Sequence, residues 1–367
     1  MSELIIKVVE IDEVRPHPDP ETTRIEVAVV KGWQTIVPVG KYRAGDVAIY
    51  VPPDAMVPVE VSDHWGVTKY LGSDGRVKSA CLRGAMSFGF LTDVEPICGE
   101  GFIKSRAIAE EDPEWVTTVW IPEVGDDVAW YYSITKWEPS PNFNSDELEP
   151  GHPLFTRYTD IQLFENYPDM IEPGEEVVIT EKIHGSNFRI SLVRSGQEGS
   201  DPILIVGTHV SQVRQDVESI YLVPSRMESV RALLRDVYDS KEARSVVLFG
   251  EVFGWVQSLK YGHSKGKVSF RAFDISVDGK MLDWDDVVMY CERHDVEMVP
   301  VLYRGPFDPD VLREMSGGNT TLTGDHIREG VVCHPIVERT SKWGHRTIVK
   351  RISDQYRLKS HRISDSH

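Results

Sequence analysis

The chain has 367 residues, 41% of them hydrophobic and 27% charged, with a formal net charge of −18 at pH 7. Its length exceeds an ordinary single core and predicts two domains, and it holds no apolar run of about 18 residues that would span a membrane. The acidic balance argues against a broadly basic face that coats nucleic acid, while Cys81, Cys98, Cys291 and Cys333 form no C-x-x-C pair and suggest neither zinc nor a disulfide framework.

The first residues, Met1–Lys7, read as the start of a strand without the features of a signal peptide, which predicts a cytoplasmic protein. Residues 1–137 read as all-β: Leu4–Ile11, Arg24–Val30, Thr35–Pro38, Val47–Val51 and Val128–Tyr132 are short, rich in β-branched or aromatic residues, and separated by turn clusters such as Gly32 and Pro52-Pro53-Asp54. Such spacing predicts a small barrel of the OB type. An acidic insertion at 99–118 is expected to be a loop. Residues 138–153 are polar, acidic and proline-rich, and read as a linker. The remainder, 154–367, mixes strands (Glu176–Glu181, Phe188–Leu192, Ile203–Val206, Ser245–Glu251, Val268–Ile275, Gly330–Cys333) with helices at Ser225–Asp239 and Trp284–His294. Ser225 and Glu228 have the spacing of a capping box. Strands and helices do not alternate strictly, so the expected class is α+β: antiparallel sheets flanked by helices behind an N-terminal β-barrel. The acidic charge is uneven. Residues 1–150 carry 13 Lys and Arg against 26 Asp and Glu, whereas Arg339–Arg362 holds eight Lys and Arg against Asp354 alone, which allows a local phosphate-binding strip.

Lys182 follows the apolar run Val177-Val178-Ile179 and precedes the turn cluster Gly185-Ser186-Asn187. A lysine at a strand end beside such a turn can meet a ligand, and it becomes a nucleophile only when its pKa is lowered. The segment Glu181-Lys182-Ile183-His184-Gly185-Ser186-Asn187 resembles motif I of the covalent nucleotidyltransferases, the superfamily of ligases and capping enzymes. It is especially similar to RNA ligases of the RNA ligase 2 type. Phe249–Gly254 resembles motif III, Ser269–Ile275 motif IIIa, Arg328–Val332 motif IV and Ile348–Arg351 motif V, all in the family's order. The upstream barrel is similar in placement to that of nick-sealing RNA ligases with an N-terminal OB module.

The resemblance implies ATP as donor, Mg2+ or Mn2+ as cofactor, and RNA with 3′-hydroxyl and 5′-phosphate ends, such as a nicked duplex, as partner. Lys182 would carry AMP, which then passes to the 5′-phosphate before the 3′-hydroxyl attacks. Lys350 would assist catalysis by neutralising phosphate charge. Glu181, Ile183, His184, Gly185, Asn187, Glu251, Phe270 and Glu329 would line the nucleotide site, with Phe270 stacked on the purine. Glu251 and Glu329 would hold the metal through waters. On a regular strand Phe270, Ala272 and Asp274 share one face, and Arg271, Phe273 and Ile275 the other. Gly185 is expected to let the backbone approach the nucleotide.

Some positions depart from the family pattern. Motif V has Lys350 and Arg351 where K-x-K is usual, so Arg351 or Arg346 would have to supply the second charge, although an immediate neighbour on a strand points the other way. The motif Ia arginine is missing, with His209, Arg214 or neither in its place. His184 stands where DNA ligases and capping enzymes have aspartate, and points to RNA. Two other readings are a capping-type guanylyltransferase and a non-catalytic protein that binds RNA ends.

Overall fold

The computed structural model describes residues 6–111, 119–137, 145–195, 201–341 and 344–358. They divide into two compact units: one holds the described residues up to Trp137 together with Arg357 and Leu358, the other those from Ser145 to Tyr356. The architecture is α+β, with two three-stranded and three two-stranded sheets in the first unit and two larger sheets in the second. Among the described residues, no helix is long and apolar enough to cross a membrane.

In the first unit, β1 (Lys7–Glu10), β5 (Val47–Val51) and β6 (Phe90–Asp93) form one antiparallel sheet. β2 (Glu13–Pro16), β3 (Ile25–Val30) and β4 (Trp33–Pro38) form another. Only Ile11 and Asp12 separate β1 from β2, so one bent segment passes between sheets, as at a barrel corner. The β3–β4 hairpin turns on Lys31 (φ 48°) and Gly32 (φ 80°), the left-handed pair that matches strand twist in a two-residue loop. Ile6, Val8, Ile49, Val51, Val61, Phe102 and Tyr132 meet in the core. Two expectations fail here. Val128–Tyr132 is not a strand: α3 (Ala129–Tyr132) is a helical turn, started where Asp127 Oδ1 accepts the Ala129 amide at 2.9 Å, and it buries Tyr131 and Tyr132. The acidic insertion is not simply a loop: α2 (Phe102–Glu111) occupies much of it and anchors on α1 (Val59–His64) through Phe102 and His64, 4.8 Å apart; residues 112–118 lie outside the described residues.

The second unit stacks four layers. Its larger sheet has β8 (Ser186–Val193), β9 (Ile203–Thr208), β10 (Ser245–Gly254) and β11 (Val268–Val277) in the order β9-β8-β10-β11, extended at its edges by two-residue strands. One of these, Leu148–Glu149, comes from the segment read as linker and pairs with Gln212–Val213. The smaller sheet has the order β14-β13-β7-β12, from β7 (Glu176–Lys182), β12 (Val301–Pro306), β13 (Gly330–Pro335) and β14 (Val349–Ile352). Strand alternation assigns the faces. Phe188, Ile190 and Leu192 pack on Val230, Leu233, Leu234 and Val237 of α4 (Glu228–Ser240) and on Val287 and Tyr290 of α5 (Trp284–Arg293). Each such side chain contributes roughly 1.5–3 kcal/mol of burial. The opposite face, with Val247 and Phe249, meets Val332 of the smaller sheet. Beyond that sheet, Val177, Ile179 and Val331 pack against Leu312 of α6 (Pro309–Ser316).

The capping box is not formed. Ser225 closes an earlier helical turn, donating to Leu222 O at 2.9 Å, and α4 starts at Glu228 without a side-chain cap. Strict alternation in motif IIIa also fails. Phe249 and Gly250 pair with Asp274 and Ala272, so Phe273 is an extra, bulged residue. Phe270 and Ala272 share a face as expected. Past the bulge, Ile275 joins them in the helix-side core, while Asp274 turns with Phe273 toward Tyr158.

Candidate active site

Alternation on β7 sends neighbours apart. Val178, Thr180 and Lys182 face the larger sheet, and Val177, Ile179 and Glu181 face α6. Lys182 ends the strand opposite Gly330 of β13, which brings Glu329 beside it. The ammonium Nζ donates to Glu329 Oε1 at 2.7 Å. On the facing sheet Asn187 pairs with Glu251, both on the side turned toward Lys182. Glu251 Oε1 accepts the Gly185 amide at 3.1 Å. Lys182, Glu329, Glu251, His184, Gly185 and Asn187 are thus gathered at one end of the space between the sheets.

The charges are strongly coupled. Burial alone would lower the Lys182 pKa, but the carboxylates of Glu329 and Glu251 outweigh it and hold the ammonium above its usual range. Burial likewise favours the neutral form of Glu329, yet Lys182 and His184 pull its pKa down to about 2. Glu251 behaves oppositely: burial pushes it up to about 8, against the pull of Lys182 and with the push of Glu329. Two acids beside one lysine are therefore driven apart, one ionised and one largely neutral at pH 7. The cluster is also unfinished. Among the described residues, Asn187 Oδ1 is buried and accepts no hydrogen bond, and Glu329 Oε2 has only His184 Nδ1 at 3.3 Å, an ion pair when that ring is protonated.

The motif I turn is held by residues that the motifs do not announce. Tyr261 Oη accepts the His184 amide at 2.7 Å, Ser258 Oγ lies 3.1 Å from His184 Nε2, and the Gln257 amide donates to Gly185 O. Tyr356 Oη sits 3.1 Å from His184 Nδ1. Ile183 is buried against Val178, Phe253 and Tyr261. Gly185 is needed for the fold itself: a Cβ there would come within 2.3 Å of Val252 O and 3.0 Å of Glu251 Cγ, so the glycine permits β10 to approach.

Residues 175–352 match a family model described as RNA ligase, and residues 5–94 match an OB-fold domain model. The domain at 175–352 belongs to the RNA ligase family. No curated protein matches the chain by sequence. Among solved structures, a mutant of the Naegleria gruberi RNA ligase with ATP and Mn is similar at TM-score 0.72 and 22% identity, over 98% of this chain and 99% of that one. Another mutant of that ligase, with AMP and Mn, gives 0.72 and 21% over the same shares, and the ligase with PPi gives 0.70 and 21%, again over 98% and 99%. At such identity the likeness is one of fold.

Of the other expected site residues, Glu181 and Phe270 face away from Lys182, while Lys350 shares its sheet face. The Glu181 carboxylate is saturated by the Thr321 amide at 2.8 Å, Thr321 Oγ1 at 2.7 Å and Thr320 Oγ1. Phe270 is 6% exposed, lies across Gly250 and meets Phe188 edge-on at 5.1 Å; it is on the helix-side face, opposite Glu251. Lys350 pairs with Val332, itself opposite Thr180, which puts it on the same face as Lys182. Arg351 points the other way, to Glu165 at 3.3 Å and Ser316 Oγ at 2.6 Å. Arg346 is buried with Asp274, Glu338 and Tyr158. Arg339 is paired with Glu175 at 2.6 Å. Within the strip Arg339–Arg362, Arg339, Arg346 and Arg351 are thus spent on internal ion pairs, while Lys342, Lys359 and Arg362 lie outside the described residues. Neither motif Ia substitute offers an unpaired cation: burial and nearby cations, Arg189, Arg157 and Lys350 among them, lower His209 to about 4, and the Arg214 guanidinium is paired with Asp216 at 2.9 Å.

Proposed function

We propose that the chain is an ATP-dependent RNA ligase that joins 3′-hydroxyl and 5′-phosphate ends, at nicks in duplexes, through a lysyl–AMP formed on Lys182. The observation that carries this reading is the set Lys182–Glu329–Glu251, a partly buried lysine between two carboxylates of opposite protonation tendency at the end of an intersheet space. Nζ would attack the α-phosphorus of ATP, forming the N–P bond as the bond to pyrophosphate breaks and the ammonium proton leaves. A 5′-phosphate oxygen would then displace Nζ, and the 3′-hydroxyl would displace AMP from that adenylylated end.

The two carboxylates and Asn187 Oδ1, which accepts no hydrogen bond among the described residues, form a hard-oxygen donor set that fits Mg2+ or Mn2+ held through waters. When bound, the ion supplies positive charge that offsets Glu329 and Glu251 and so weakens the hold of Lys182 on its proton. Lys350, on the same sheet face, would balance phosphate charge. The gap left at the second motif V position is filled by neither Arg346 nor Arg351. Incubation with α-labelled ATP or GTP and Mg2+ or Mn2+ tests the reading. ATP should label the wild type and leave Lys182→Ala unlabelled. Labelling by GTP alone would turn the reading toward guanylyl transfer, and RNA binding without an adduct toward a non-catalytic binder.

A further inference from the structure

The connection Trp255–Lys267, between β10 and β11, has an inner and an outer side. Inside, Gln257, Ser258 and Tyr261 hold the motif I turn, and Tyr261 is buried with Ile183 and Phe253. The segment is thereby fixed beside Lys182. Outside, Trp255 is 40% exposed, with the Lys260 ammonium 4.4 Å from its ring centre. The Trp255 amide donates to Lys267 O at 2.8 Å, which sets Lys267 across from the indole, and Lys265 and Lys267 are both exposed. From Val252 to Phe273 the chain has no Asp or Glu, in a sequence with 58 of them.

We infer that this outer face, Trp255 with Lys260, Lys265 and Lys267, docks the RNA whose end is processed at Lys182, the lysines meeting backbone phosphates and the indole stacking on a base. This rests on the reading of the site as one that joins RNA ends. A cation-lined indole is the combination that binds polynucleotide without sequence preference. Acid-free sequence next to the site concentrates phosphate affinity where the global charge opposes it, so RNA is drawn to this face rather than spread over the chain.

The test measures binding of a nicked RNA duplex, without ATP, across a salt series, and separately the labelling of Lys182 by ATP. Lys265→Ala/Lys267→Ala should weaken binding by about tenfold or more and flatten the log–log salt slope by roughly 0.7–0.9 per lost contact. Trp255→Ala should weaken it about tenfold with the slope kept. Arg235→Ala, an exposed position on α4, should bind like wild type. All of these should label normally. Unchanged affinity and slope in the hairpin variants overturns the docking face, as does an equal loss in Arg235→Ala. Loss of labelling along with binding would assign the hairpin to motif I folding and likewise overturn it. A wild type that binds RNA through the hairpin but forms no adduct would instead remove the ligase reading.

Discussion

Two buried charge networks in the second unit differ in whether they are complete. Around Arg346, Asp274 accepts at 2.9 and 3.1 Å, Tyr158 Oη at 2.8 Å and Glu338 at 2.9 Å, so the guanidinium fork is saturated. Its members are Asp274 of β11, Tyr158 from the chain well before β7, Glu338 just after β13 and Arg346 just before β14. Around Lys182 the set is left open: among the described residues Asn187 Oδ1 has no donor and Glu329 Oε2 has one weak neighbour, and the Glu251 carboxyl is raised to about 8. A saturated network resists change, whereas an open one gains by receiving a ligand. The difference separates a structural charge cluster from a chemical one more sharply than charge or burial alone.

The largest expected effect breaks the saturated side. Arg346→Ala leaves Asp274 and Glu338 buried without their partner and should cost about 3–5 kcal/mol, read from the denaturant midpoint; the fraction that remains folded should still label with ATP. Glu329→Gln should do the reverse. Adenylylation should fall about 10–100-fold, while stability falls by only about 1–2 kcal/mol because removing the Glu329 charge lets Glu251 ionise and balance Lys182. Equal stability losses in the two variants would erase the distinction.

Protonation offers a third test. The Glu251 pKa is raised to about 8 in the fold, so the folded chain binds the extra proton between its ordinary range and pH 8. Its contribution to stability is present at low pH and is lost as pH rises through that window. Glu329, lowered to about 2, works oppositely: its contribution is full above the ordinary glutamate pKa and is lost as pH falls toward 2. Binding of Mg2+ or Mn2+ near pH 7 should therefore release a proton from Glu251, detectable by calorimetry in buffers of different ionisation enthalpy. Release should vanish well above pH 8 and in Glu251→Gln. The smallest effect belongs to Tyr356→Phe. Loss of one hydrogen bond to His184 should slow adenylylation by only about 2–10-fold, with no change in the denaturant midpoint beyond about 1 kcal/mol.

Much of the frame was legible in the sequence because its signals are local. Apolar runs such as Val177–Ile179 and Ser245–Phe249 mark strands wherever they fold, and ordered motifs from Lys182 to Lys350 announce an RNA ligase domain. Period two even determined that Arg351 turns away from Lys350. Other features depend on neighbours distant in the chain. The Phe273 bulge follows from pairing with β10, and it reverses which side Asp274 and Ile275 face. The saturation of Glu181 by Thr320 and Thr321, the neutral state of His209 and the internal pairing of Arg339, Arg346 and Arg351 are likewise decided by partners far off in sequence. Sequence by itself established which residue types stand ready for nucleotide chemistry. Only the tertiary structure decided which charges are spent on one another, as at Arg346, and which stand in an open cluster, as at Lys182, because a buried charge takes its protonation and its partners from whatever the fold places against it.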